Sequence, residues 1–210
     1  MKVSVVIPAY NEEKQIESML RSVVKARKNG IVNQVIVVDD GSEDDTLRKA
    51  KEHNSIEAIG LDQNLGKAQA MQRGVKESKH SDILFLDADL IGLKAKHIKK
   101  IVGEYEKEDC DMVVGIFHKG KWYTDISQNI FSSHLSGQRI LSKRVWNKLD
   151  LNKVGEFGVE MALFKMGLST REVRLEGLSH VLKEEKRGFL NGLQARLRMY
   201  FHVVKVFLSK

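Results

Sequence analysis

The chain has 210 residues, 42% of them apolar and 30% charged, with 16 glycines and a single proline; that balance fits one well-packed domain and excludes a collagenous, low-complexity or large multidomain protein. The lone Cys110 excludes an internal disulfide and a multi-thiolate metal site. A formal charge of +7 invites a polyanionic partner, but seven cations against two anions between Lys183 and Lys210 supply most of it, so the basicity belongs to a tail.

Residues 2–7 (KVSVVI) and 34–39 (QVIVVD) are short β-branched runs ending in turn-prone residues, the pattern of strands buried on both faces of a parallel sheet. Between them, residues 13–28 carry Ile16, Met19, Leu20, Val23 and Val24 at helical spacing, which makes a βαβ unit. A second helix is predicted over 44–53, a weaker strand over 56–61, a third helix over 66–78 and an apolar strand over 82–86 (DILFL). The alternation predicts an α/β fold with a mostly parallel central sheet flanked by helices. Further on, the pattern predicts a helix over 94–106 and a strand over 111–116, then an aromatic, serine-rich stretch over 122–136. It then predicts a helix over 160–166 closed by Gly167, a strand over 170–175 and a long amphipathic helix over 189–208. No linker interrupts residues 1–182, which are expected to form one domain, with 183–210 as a basic helical extension. The N-terminus lacks the charged and apolar regions of a signal peptide, and no apolar run reaches the 18 or so residues of a membrane span, so a cytoplasmic chain is expected.

In a parallel sheet, ligands bind outside the carboxyl ends of the strands, where loop amides and helix N-termini converge. The polar clusters fall at those ends: Pro8-Ala9-Tyr10-Asn11-Glu12 after the first strand, Asp39-Asp40-Gly41-Ser42 with Asp44 and Thr46 after the second, and Asp87-Ala88-Asp89 after the fourth. Each alone reads as a turn and helix cap. Together they gather like charges that repel unless a cation or a donor-rich ligand joins them. Asp87-x-Asp89 offers hard oxygens suited to Mg²⁺ or Mn²⁺. Asn64-Leu65-Gly66-Lys67 opens a helix with a glycine and a cation for phosphate, but lacks the glycine spacing of a P-loop, which argues against an ATPase. A nucleotidyltransferase is disfavoured because no glycine-rich triphosphate loop follows the first strand.

VVIPAYNE (5–12), VVDDGSEDDT (37–46), NLGKA (64–68) and LDADL (86–90), in this order and spacing, resemble a family 2 glycosyltransferase with the GT-A fold. SGQRILSK (136–143) resembles the Ser-Gly-x-Arg stretch of polyprenyl- and dolichyl-phosphate sugar synthases, and EFGVE (156–160) their GFGVE, with Glu156 in place of a frequent glycine. The resemblance implies a metal-dependent hexosyltransferase that uses a nucleoside-diphosphate sugar as donor. It implies that Pro8, Tyr10, Asn11, Glu12 and Asp39 hold base and ribose, that Asp89 is the main metal ligand of a DXD motif, and that Asp87 lies nearer the ribose and metal water. Gly66, Lys67 and Arg139 are candidates for the diphosphate or an acceptor phosphate, Arg139 by bidentate pairing. His180 is the candidate late metal ligand, against a structural role. Glu160 is the best candidate base for an alcohol acceptor, with Asp150 and Glu156 behind it; a phosphate acceptor needs none. The resemblance favours inversion at the anomeric carbon.

On the tail, Phe189, Leu190, Leu193, Leu197, Tyr200, Phe201, Val204, Phe207 and Leu208 share one helix face. That face either packs on the core or on a second copy in a homodimer, or lies in an anionic membrane surface with Lys183, Lys186, Arg187, Arg196 and Arg198 at the head groups. The expected acceptor is a lipid or polyprenyl phosphate at the inner face of the membrane, with a soluble acceptor or a non-catalytic nucleotide-sugar-binding module as alternatives. No nucleic-acid partner is expected, since no reading motif appears.

Overall fold

The computed structural model describes residues 1–107, 109–118, 136–151, 154 and 158–180. Four strands from the first half of the chain, β1 (Val3–Ala9), β2 (Gln34–Asp39), β3 (Glu57–Gly60) and β4 (Asp82–Phe85), pair in parallel with β1 at their centre. Two short strands, β5 (Leu90–Ile91) and β9 (Ser179–His180), form a separate antiparallel pair. From the second half, β6 (Met112–His118) and β8 (Thr170–Glu176) pair in parallel. Between the two groups runs β7 (Arg139–Ser142), antiparallel to both β4 and β6, which completes a seven-stranded sheet in the order β3-β2-β1-β4-β7-β6-β8.

The helices divide between the faces of this sheet: α1 (Ile16–Lys28), α2 (Thr46–Lys51), α3 (Lys67–Glu77), α4 (Ala95–Tyr105), α5 (Lys143–Trp146) and α6 (Gly158–Lys165). Because successive strand residues face opposite ways, Val3, Val5 and Ile7 of β1 pack with α1 and α4 in one apolar cluster, while Val6 joins α3, α5 and α6 in the other. All six residues of β2 are buried, as its unbroken apolar run requires for a strand covered on both sides. Burial of Ile16, Met19, Leu20, Val23 and Ala26 along one stripe holds α1 in place.

The expected α/β architecture with a mostly parallel sheet is what the chain adopts. Strand and helix ends differ by a few residues, most clearly at α2, which begins at Thr46 rather than at 44. Asp44 turns back there to accept the Thr46 amide at 2.9 Å, a local bond that competes with helix. Strands β5, β7 and β9 were not anticipated: two have only two residues each, and β7 lies inside the segment read for its motif. The aromatic stretch over 122–135, Glu156 and the tail over 183–210 lie outside the described residues.

Candidate active site

The loops that follow β1 and β2 are braced against each other. Asn11 sits in the left-handed region with φ 53°, which asparagine tolerates better than most residues. Its amide donates to Ser42 Oγ at 2.9 Å and its Oδ1 accepts the Glu43 amide at 2.9 Å. The Glu12 amide donates to Thr46 Oγ1 at 2.7 Å and the Glu13 amide to Asp44 Oδ2 at 3.1 Å. Pro8 lies in β1 opposite Val38, and Tyr10 stays exposed on the loop.

Two adjacent carboxylates end β2 with different duties. Asp39 is 2% exposed; its Oδ2 accepts the Ser42 amide at 3.0 Å, while its Oδ1 is buried without a hydrogen-bond partner. An unsatisfied acceptor of this kind costs about 1–3 kcal/mol, which a ligand N–H or hydroxyl would relieve. Asp40 accepts the Leu65 and Gly66 amides at 2.8 and 2.9 Å, fastening the loop before α3. Burial raises the Asp40 carboxyl above the usual carboxylate range despite those two bonds, and Asp39 adds to the rise. The Gly66 amide is therefore spent inside the fold, a correction to its expected place against a phosphate. Gly41, at φ 71°, packs so closely on the Gln63 backbone that a Cβ would lie 2.5 Å from its carbonyl carbon.

A second cluster surrounds Asp87. Phe85 of β4 pairs with Arg139 of β7, so the reversed direction of β7 brings residues 136–138 beside the loop that leaves β4. Gln138, 0% exposed, donates its Nε2 to Asp87 Oδ2 at 2.7 Å, and its Oε1 lies 2.9 Å from Ser136 Oγ. Gly137 touches the same carboxylate: a Cβ there would sit 2.1 and 2.3 Å from its two oxygens. From the start of α3, Lys67 Nζ reaches Asp87 Oδ1 and Glu160 Oε1, both at 2.7 Å. Burial pulls the Lys67 ammonium down, but Asp87 and Glu160 outweigh it and hold the group well above the usual lysine range. For Glu160, burial pushes up, while Lys67 and Arg139 hold its carboxyl below the usual range.

Arg139 departs from expectation. Its side chain is 1% exposed and its Nη2 donates to the Ser136 carbonyl, so it lies beneath the site and offers no face for an acceptor phosphate. Burial lowers its basicity and the nearby Glu160 and Asp87 restore part of it. Asp89 is half-buried on the way into β5, and the pairing of β5 with β9 sets His180 across from Leu90, one residue along from Asp89. The His180 side chain lies outside the described residues, and among the described residues no group of three His, Cys, Asp or Glu side chains is gathered for an ion. Asp87 and Asp89 nonetheless supply hard oxygens of the kind a divalent cation takes; Asp87 would exchange the Lys67 ammonium for the ion, and the remaining ligands would come from elsewhere. Asp40, Gly137 and Gln138 were missed as site residues, although each stood within a motif singled out for its neighbours. Asp150 is exposed beyond α5.

The family model described as Glycosyl transferase family 2 matches residues 4–169. Over 186 residues the chain is 25% identical to the dodecaprenyl-phosphate galacturonate synthase of Rhizobium johnstonii, covering 86% of this chain and 52% of that protein. A dolichyl-phosphate beta-glucosyltransferase of Trichomonas vaginalis is 32% identical over 116 residues, 48% of this chain and 36% of that one. The chain thus spans about half or less of these relatives. Among solved structures, glucosyl-3-phosphoglycerate synthase from Mycobacterium tuberculosis in complex with Mn²⁺, UDP-glucose and phosphoglyceric acid matches with a TM-score of 0.78 and 25% identity. That match covers 99% of this chain and 79% of that one.

Proposed function

The chain belongs to glycosyl transferase family 2, and on that premise we propose that it moves a hexosyl group from a nucleoside-diphosphate sugar to a polyprenyl phosphate or similar lipid phosphate at a membrane surface. The observation that carries this reading is the Lys67 bridge between Asp87 and Glu160. It sets an ammonium beside the metal-type carboxylates, where a departing diphosphate gathers negative charge. It also keeps Glu160 below the usual carboxylate range, which makes it a poor base for an alcohol and suits an acceptor that arrives already ionised. The names of two relatives, each a transferase to a lipid phosphate, support the same acceptor class.

In this reading the loop over 8–12 and Asp39 hold the base and ribose, the unsatisfied Asp39 Oδ1 accepting a bond from one of them. Asp89, with Asp87 and His180, would hold Mg²⁺ or Mn²⁺, which when bound acts as a Lewis acid on the diphosphate. Gln138 fixes the Asp87 carboxylate, and Lys67 adds a second positive charge. An acceptor phosphate oxygen attacks the anomeric carbon, and the electron pair of the breaking bond leaves with the diphosphate. Arg139 acts from below as a counter-charge to Glu160 and Asp87. Residues 1–182 form the transferase domain in this proposal.

Calorimetric titration of the chain with UDP, GDP and their sugars, with and without Mn²⁺, tests the donor half. Metal-dependent binding that disappears in Asp89→Ala is expected, and its absence for every nucleotide overturns the proposal. A soluble phosphate acceptor is the second reading, favoured by the phosphoglyceric acid in the matching structure. Parallel transfer assays with polyprenyl phosphate and with phosphoglycerate separate the two.

A further inference from the structure

We infer that an anionic lipid bilayer docks on the surface formed by Ile91 and the first two turns of α4. Among the described residues, the large apolar side chains left exposed, apart from Met1, are Tyr10, Leu65 and Ile91, all on segments that follow strands β1, β3 and β4. Tyr10 belongs to the loop proposed to hold the donor, and Leu65 to the loop that Asp40 fastens before α3. Ile91, at 46% exposure, lies two residues beyond Asp89 and does not.

Directly after Ile91 the chain places Lys94 at the N-cap of α4 and Lys96, Lys99 and Lys100 on its outer side, with Lys94, Lys99 and Lys100 exposed and Lys96 half-buried, while His97, Ile98, Ile101 and Val102 face the core. No acidic residue occurs between Asp89 and Glu104. The four lysines therefore leave the chain within about 9 Å of one another along the helix axis, with no carboxylate of their own segment among them. They are close enough to His97 that Lys96, Lys94 and Lys100 each add to the burial that lowers its imidazole pKa. Lys100 donates to the Arg174 carbonyl at 2.8 Å, which pins one of the four to the edge strand.

An exposed β-branched side chain at the rim of a lysine cluster matches a bilayer with acidic head groups: the apolar tip enters the acyl boundary and the cations meet the phosphates. Among the described residues no exposed aromatic platform accompanies the lysines as single-stranded nucleic acid would need, and the isoleucine adds an apolar tip that nucleic acid would not take. Docking there sets the Asp87-Asp89 loop within a few residues of the membrane plane. The inference deepens the proposed function and rests on its lipid-borne acceptor, but partition onto vesicles without any substrate measures it separately.

The test is co-sedimentation of the full chain with vesicles of phosphatidylcholine alone and of phosphatidylcholine with about one third phosphatidylglycerol, at low and high salt. Each lysine near an acidic surface is worth about a fivefold change in partition, so Lys94→Gln, Lys96→Gln and Lys99→Gln together should lower binding to the acidic vesicles on the order of a hundredfold. Ile91→Ser should lower binding to acidic vesicles further at every salt concentration. A control with the same loss of charge, Lys51→Gln, Lys76→Gln and Lys148→Gln, exposed elsewhere on the fold, should bind nearly as the wild type does. All variants should keep UDP and Mn²⁺ affinity in vesicle-free buffer. Wild-type chain that ignores acidic vesicles, an α4 triple variant that binds them undiminished, or a control triple that loses as much overturns the inference. A lipid-phosphate transfer assay in detergent reports on the acceptor independently of these outcomes.

Discussion

Replacing Gly137 by alanine loads the Asp87 cluster with one methyl group and nothing else. The new Cβ would stand 2.1 and 2.3 Å from the carboxylate oxygens and 2.5 Å from its carbon, where ordinary carbon–oxygen contact begins near about 3.3 Å. Something must therefore retreat by about 1 Å. The carboxylate is held on its other sides by Gln138 Nε2 and Lys67 Nζ, each at 2.7 Å, so it cannot move without lengthening bonds to a buried amide and an ammonium. Overpacking of this kind costs about 1–3 kcal/mol, which for a chain of this size lowers Tm by roughly 3–10 °C. Disturbing the groups that orient a metal ligand typically weakens the metal about 10–100-fold. Thermal unfolding and Mn²⁺ titration in the presence of UDP measure both. Gly103→Ala, on the exposed face of α4 with no atom within 4 Å of the new Cβ, is the control and should gain about 0.5–1 kcal/mol. A Gly137→Ala protein with wild-type Tm and Mn²⁺ affinity refutes the idea that Gly137 and Gln138 cradle Asp87.

Three further outcomes are expected. Glu160→Gln should slow transfer to a lipid phosphate less than tenfold, measured as single-turnover rate; a loss of about 10²–10⁴ identifies Glu160 as a working base and points to an alcohol acceptor. Asp39→Ala should weaken UDP about tenfold or more by calorimetry while shifting Tm only slightly, because relief of the unsatisfied Oδ1 offsets loss of the Oδ2 bond to the Ser42 amide. Urea unfolding between pH 7 and pH 3 should show stability falling with acid. At Asp44, burial pushes the carboxyl up but its bonds to Thr46 and Glu13 outweigh that, and Glu160 is likewise held low. The stability these two contribute is full above the ordinary carboxylate range and is lost as pH drops through their depressed values. Asp40, raised, contributes with the opposite sign, and Asp44→Asn should flatten the acid limb.

The sequence made the donor half of the fold legible because each element there repeats one signal: a β-branched run, a polar turn at its end, then a helical stripe. Asp39, Asp87 and Lys67 stand out because polar clusters recur at successive strand ends and before a helix, although each alone reads as a turn or cap; the structure brings Lys67 to Asp87 and leaves Asp39 beside the loop after β1. Arg139 could not be placed: a lone arginine in a motif reads as a phosphate ligand, and only the pairing of β7 with β4 and β6 shows it to be interior. Gln138 escaped for the complementary reason, since an amide's role depends on which carboxylate the topology brings to it. Strands of two residues, such as β5 and β9, have no periodicity to read, although their pairing sets His180 across the ladder from Leu90.

The reversed strand also has a kinetic meaning. β1 to β4 and their helices can assemble from neighbouring stretches of chain, each crossover closing a short loop. Once those strands are in place, β7 can join β4 only after the excursion through α4 and β6, a connection longer than those from β1 to β2, β2 to β3 or β3 to β4, and longer closure is entropically slower. A nascent or partly refolded chain would therefore acquire its nucleotide loops first and carry Asp87 with Lys67 but without the Gln138 amide. Under the proposed function, recognition of the donor would precede competence for transfer in such a chain, and a strand that docks after the first four would be the one that completes the Asp87 cluster.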